Sequence, residues 1–151
     1  MSHHKNMAQS IKIKSGEILL NRFVKPAMSE QLGDTQGNPQ PELKSLYKAW
    51  GEGGAGLLIT GNVMVDRRFL GEPCNVILNE QSDLEAFRHW VGAVENTQSK
   101  LWMQLNHPGK QIPRYLSKHA LAPSEIELGG GLAKVFAKPI AMSEIDIENL
   151  I

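Results

Sequence analysis

Three groups of residues in this sequence could do chemistry. Gly51, Gly53 and Gly56 of "GEGGAG" have the G-x-G-x-x-G spacing of a turn that cradles a dinucleotide pyrophosphate. Gln104 and His107 stand together in "QLNHPGKQ", and Asp66, Arg67 and Arg68 form a compact charged run. The glutamine could offer a donor and an acceptor to one ligand edge, the histidine could act as ligand, acid or base, and the charged run could hold a phosphate or carboxylate. Each group also has a plainer reading. The glycines suit a tight bend, Gln104 could satisfy loop backbone, His107 could order its own loop, and a short charged run is usually solvated. The five histidines (3, 4, 89, 107 and 119) contain no H-x-x-x-H or H-x-x-E-H pattern, which argues against a metal site. No G-x-S-x-G or Cys-His nucleophile pattern is present.

These residues are positioned by an alternation of strands and helices. "NRFVKPAM" (21–28) reads as a short strand ended by Pro26, which cannot donate to a ladder. "PELKSLYKAW" (41–50) reads as a helix, with Pro41 in its first turn and Leu43, Leu46, Tyr47 and Trp50 on one face. "GLLIT" (56–60) is the apolar run of a buried parallel strand. The segment 82–100 opens with Ser82 and Glu85 in capping-box spacing, carries a stripe of Leu84, Phe87, Val91 and Val94, and leaves His89 in solvent. "KLWMQL" (100–105) is the next strand, with Leu101, Met103 and Leu105 on one face and Trp102 and Gln104 on the other. The order predicts an α/β fold in which residues 22–27, 56–61 and 101–105 are adjacent parallel strands. Helices over 41–52 and 82–98 are expected on one side, and "IKIKSGEILL" (11–20) as a hairpin around Ser15-Gly16 at the opposite end.

That order tells against "GEGGAG" as a nucleotide turn. A dinucleotide fingerprint follows a strand and opens a helix, whereas these glycines follow a helix and open a strand. The expectation is a tight αβ loop at the N-terminal end of the second strand, touched by no phosphate. Ligands of parallel α/β proteins gather instead at the C-terminal strand ends. Those ends read "KPAMS" (25–29), "TGNVMVDRR" (60–68) and "QLNHPGKQ" (104–111).

Bulk properties narrow the classes. Lys+Arg and Asp+Glu both number 16, so no electrostatic footprint for nucleic acid or an anionic membrane exists. No apolar run approaches the roughly 20 residues of a transmembrane helix. The single cysteine excludes an internal disulfide, and a cytoplasmic setting is the expectation. Residues 1–10 lack a signal-peptide h-region and are expected to be disordered or an expression remnant.

The three strand-end motifs, in this order and spacing, resemble the Old Yellow Enzyme family of FMN-dependent NADH:flavin oxidoreductases. The resemblance runs from about Ile11 to Ile151. Lys110 replaces an arginine of the family pattern, and Pro26-Ala27 inverts its small residue and proline. The resemblance implies a (β/α)8 TIM barrel with FMN at its C-terminal mouth and NADH or NADPH as reductant. It places Pro26, Ala27, Met28 and Ser29 against the flavin ring, Gly61 or Asn62 beside it, and Gln104 on its pyrimidine edge. It further implies hydride delivery to an activated alkene such as an α,β-unsaturated carbonyl.

A complete barrel takes about 250 residues, and 151 supply roughly three β/α units. "MSEIDIENLI" opens a last helix with Ser143 and Asp146, and the glycines of "GGGLAKV" (129–135) are expected in a turn. The family's substrate-holding His or Asn, its proton-donating Tyr and most phosphate-binding groups fall in later strands. Three readings stand: the N-terminal part of a flavin-dependent ene-reductase, a half-barrel that binds flavin weakly or assembles with a copy or complementary chain, and a non-catalytic scaffold or interaction protein on the same fold.

Overall fold

The computed structural model describes residues 4–151; residues 1–3 of the N-terminal stretch lie outside the described residues. His4–Met7 (α1) forms one helical turn, and the Met7 carbonyl accepts from the Arg22 amide. Ile11–Lys12 (β1) and Ile18–Leu19 (β2) make the antiparallel hairpin, with Gly16 at φ +94° in its turn. Glu17 reaches Lys100 at 3.4 Å, which sets the hairpin against the start of the third main strand.

The main sheet is parallel. Val24–Lys25 (β3) pairs with Leu57–Met64 (β4), and β4 pairs on its other side with Lys100–Asn106 (β6). A two-residue strand unseen in the sequence, Val76–Ile77 (β5), joins the far end of β4 on the β3 side. Among the described residues β6 has only β4 as a neighbour. Strand β3 stops just before Pro26, as the missing N–H requires.

Two helices cover one face. Pro41–Glu52 (α2) follows the periodicity, burying Leu43 and Tyr47 completely. Leu84–Val91 (α3) continues as a 3-10 turn to Val94, shorter than the 82–98 expected. Its cap is Asp83, whose carboxylate accepts from the Glu85 and Ala86 amides, while Ser82 Oγ instead donates to the Ile77 carbonyl. The buried face is also rotated from the expected stripe. Phe87, Trp90, Ala93 and Val94 pack inward, because the large Trp90 ring fills the space against Tyr47. Leu84 and Val91 border an apolar groove with Leu78 and Met103 instead. Leu58, Val63 and Val76 complete this core from the sheet, and Leu101 and Met103 pack on it as the strand alternation requires. Leu105 shares their face but is 58% exposed.

A second, small core of Phe69, Ile112, Ala120 and Ala137 lies under the chain after β6. Here His119–Ala122 (β7) and Lys138–Ala141 (β8) pair in parallel, and Gly130 and Gly131 turn the connection with positive φ. Glu144–Glu148 (α4) carries the Ser143–Asp146 capping box. No helix among the described residues is long and apolar enough to cross a membrane.

Candidate functional site

The C-terminal ends of β3, β4 and β6 meet around a bulge. Ile59 of β4 pairs with Trp102 and Asn62 with Gln104, so two residues of β4, Thr60 and Gly61, stand opposite the single Met103. The Thr60 hydroxyl fills the broken rung, accepting from the Gln104 amide at 2.9 Å and donating to the Gly61 carbonyl. The bulge reverses the alternation of β4. Leu58 before it and Val63 after it both face the helices, which turns Asn62 onto the face of Gln104.

Asn62 and Gln104 then join directly, Gln104 Nε2 donating to Asn62 Oδ1 at 2.7 Å. Among the described residues Asn62 Nδ2 and Gln104 Oε1 have no further hydrogen bond, leaving one donor and one acceptor side by side. Rotating both amides by half a turn exchanges the roles and preserves the count. Gln104 thus sits on the Trp102 face, as the alternation predicts.

The chain after β3 lies against Gly61. A methyl group on Gly61 would run into the Met28 carbonyl and the Glu30 carboxylate. Pro26, Met28 and Ser29 are exposed there and Ala27 is half-buried. The Ser29 hydroxyl meets Glu72, on the loop between β4 and β5. Asn62, Glu72, Asn106, His107, Gln111 and Tyr115 line a cleft of about 520 Å³, the size range of small-molecule sites.

Beneath this mouth lies a polar cluster that the sequence did not announce. Lys25 Nζ donates to Glu30 Oε1 at 3.1 Å, to Tyr47 Oη at 3.1 Å and to the Ile59 carbonyl at 2.9 Å. Its ammonium lies 4.2 Å from the centroid of the Trp50 ring, a cation–π distance. The Tyr47 hydroxyl donates to Glu30 Oε1 at 2.7 Å and accepts from the Gly61 amide at 3.1 Å. The Lys25 and Glu30 side chains are 8% and 10% exposed. Burial lowers the Lys25 pKa against the opposing pull of Glu30, and burial followed by Glu30 pushes the Tyr47 hydroxyl well up.

Of the other candidates only His107 borders this mouth. Asp66 holds Arg68 through a two-oxygen ion pair at 2.7–3.1 Å, which lowers the acid and raises the base, while Arg67 donates to the Gln36 carbonyl at 2.6 Å. His107 Nδ1 accepts from the Gly109 amide at 3.2 Å, and its Nε2 is enclosed without a partner. Burial lowers its pKa, opposed by Asp66. His89 is exposed beside Lys44. No group of three or more metal-ligating side chains is found among the described residues. "GEGGAG" lies at the opposite end of β4, where it is clamped by Asn21. The Asn21 amide donates to the Gly54 carbonyl at 2.7 Å, and its Oδ1 accepts from the Gly56 amide at 2.9 Å.

The family description "NADH:flavin oxidoreductase / NADH oxidase family" matches residues 7–151. The chain belongs to that family. Among curated relatives it is 34% identical to the NADH-dependent flavin oxidoreductase iliE of Neonectria sp. (strain DH2), over 93% of this chain and 21% of that protein. It is 32% identical to iliE of Hypocrea jecorina (strain QM6a), over 93% of this chain and 39% of that protein. It thus spans well under half the length of these relatives. Among solved structures, the Old Yellow Enzyme homologue of Zymomonas mobilis superposes with a TM-score of 0.82 at 20% identity, over 96% of this chain and 42% of that one. The Old Yellow Enzyme of Pichia sp. AKU4542 gives 0.81 at 24% identity, over 95% and 39%. The fold is therefore part of the Old Yellow Enzyme TIM barrel, and β3, β4 and β6 are three of its strands. The family is flavin-dependent, with FMN as cofactor and NADH as reductant.

Proposed function

We propose that the ends of β3, β4 and β6 form one wall of an FMN site in an ene-reductase. The enzyme would take a hydride from NADH or NADPH and deliver it to the β-carbon of an activated alkene. FMN supplies that two-electron relay when bound. The residues of this chain bind and orient it. Pro26, Ala27, Met28 and Ser29 would offer backbone and one hydroxyl, Gly61 its backbone under the 26–30 loop, and Asn62 and Gln104 their amides.

The Asn62–Gln104 pair carries this reading. A flavin pyrimidine edge alternates acceptor and donor, and the pair presents one free donor beside one free acceptor. Holding both amides by a mutual hydrogen bond fixes their orientation in advance, which reduces the ordering cost of binding. The balanced charge fits a small-molecule substrate in the cytoplasm better than nucleic acid or a membrane surface.

The test is an FMN titration of wild type and Gln104→Leu in a complete barrel. Losing one or two hydrogen bonds and stranding flavin polar groups should weaken binding by about ten- to a hundredfold. Equal affinities would remove Gln104 from the flavin wall, and no binding by either variant would favour the scaffold reading. The 151-residue chain alone should bind little FMN in either form.

A further inference from the structure

We propose that Lys25, Glu30 and Tyr47 form a buried latch that positions the strand-end backbone, holding Gly61 and the 26–30 loop in one fixed relation. The inference rests on the flavin reading only for its functional consequence. Its structural content stands on the cluster itself.

The latch joins three segments that are distant in sequence. Lys25 ends β3, Glu30 closes the loop that follows, and Tyr47 comes from the middle of α2. Their polar atoms are nearly used up by one another. The ammonium has three donors and three acceptors, and the Tyr47 oxygen donates once and accepts from Lys25 and Gly61. Such a closed network has few alternative arrangements, because any rotation strands a buried donor or charge. It is also poorly suited to being merely a stability device, since a buried ion pair is often no more stabilising than apolar packing of the same volume. What it supplies is placement. Tyr47 Oη accepts from the amide of Gly61, one of the two bulged residues and the one immediately before Asn62. Glu30 presses on the same glycine from the loop side. A single hydroxyl therefore sets both the bulge and the loop that faces it. These are positioning residues, which touch no substrate.

Tyr47→Phe tests this, because it keeps the ring that packs edge-on against Trp50 and Trp90 and deletes only the hydroxyl. Amide hydrogen exchange in the 151-residue chain should speed up by about tenfold at Gly61, the factor for one lost hydrogen bond, with Leu58 and Val63 unchanged. Glu30→Gln, nearly isosteric and outside the helix, should accelerate Gly61 in the same selective way and serves if Tyr47→Phe does not fold. In the complete enzyme either variant should weaken FMN binding by about tenfold and shift the flavin absorption bands. Uniform acceleration across Gly61, Leu58 and Val63 would show that the cluster only holds the fold together, and would overturn the proposal. So would selective loosening of Gly61 with FMN affinity and spectrum unchanged. Failure of wild type to take up FMN would sink the flavin reading alone, leaving the exchange pattern at Gly61 to decide the latch.

Discussion

At the N-terminal end of β4, Gly56 makes room for the Asn21 backbone, whose carbonyl would stand 2.6 Å from an added methyl group. At the C-terminal end, Gly61 makes room for the Met28 carbonyl and Glu30. Both are buried glycines against backbone, five residues apart, one just before β4 and one within it. Their surroundings differ in kind. The first end is closed by a side-chain clamp, with Asn21 satisfying Phe23, Gly54 and Gly56 together. The second end is left open, with a free donor and acceptor on Asn62 and Gln104 and a cleft beyond them. Glycine at a close approach thus says only that two backbones meet. Function depends on whether polar groups next to it are spent or left over.

Gly61→Ala should give the largest effect. Neither a backbone carbonyl nor a latched carboxylate can move aside freely, so the cost falls at the upper end of overpacking, about 3 kcal/mol. Urea unfolding reads the loss, and FMN binding should fall with it because the 26–30 loop must shift. A stable Gly61→Ala that retained FMN affinity would erase the difference between the two ends. Gly56→Ala should cost about 2 kcal/mol through the same kind of clash. Any folded fraction should bind FMN with wild-type affinity in the complete barrel, because the clamp end touches no ligand.

The contrast was only half legible in the sequence. The order of elements, the Pro41 start of α2 and the apolar run of β4 carry local signals, and the structure follows them. The order alone dismissed "GEGGAG", and Gln104 stood out as an amide in an apolar strand. The bulge at Thr60–Gly61 has no such signal, because it is defined by register against β6, about 40 residues later. Without it, strict alternation would have put Asn62 with Leu58 on the helix face. Lys25 and Glu30 carry no sequence signal of their burial, since burial of an ion pair depends on an aromatic lid from α2 that no local pattern announces. The stripe on α3 misled for a related reason: periodicity marks an apolar arc, and the bulk of Trp90 decides which part of it turns inward.

A titration separates the two ends more gently. His107 lies at the open end, and its folded pKa is below the ordinary value because burial disfavours the cation. Between that lowered value and the ordinary 6.5, the unfolded chain binds the proton and the folded chain does not. Stability should therefore be flat with respect to this group above 6.5 and fall as pH drops through the window. Partial exposure keeps the change small. His107→Asn should remove that slope just below pH 6.5 in urea titrations. An unchanged slope would place the proton uptake elsewhere.

The smallest effects distinguish two glycines inside "GEGGAG" itself. Gly53 closes α2 in an ordinary right-handed conformation, with φ −67° and ψ −8°, and its amide returns to the Ala49 and Gly51 carbonyls. Gly54 follows with φ +80° and open space where a side chain would go. An alanine at Gly54 meets no atom but must adopt left-handed backbone, at a cost of about 1 kcal/mol. An alanine at Gly53 needs no strained backbone and restricts the unfolded chain, a gain of some 0.4 to 1 kcal/mol. Its Cβ would stand 3.2 Å from the Trp50 carbonyl, which offsets that gain. Gly53→Ala should therefore lie within about 0.5 kcal/mol of wild type and above Gly54→Ala in thermal or urea unfolding. The reverse order would mean that the helix ends one residue earlier than Glu52. Neither variant should alter FMN affinity in the complete barrel, because both sit beside Asn21 at the closed end of β4. A selective loss of affinity at Gly53 or Gly54 would return this loop to the list of ligand sites and end the distinction between the two ends.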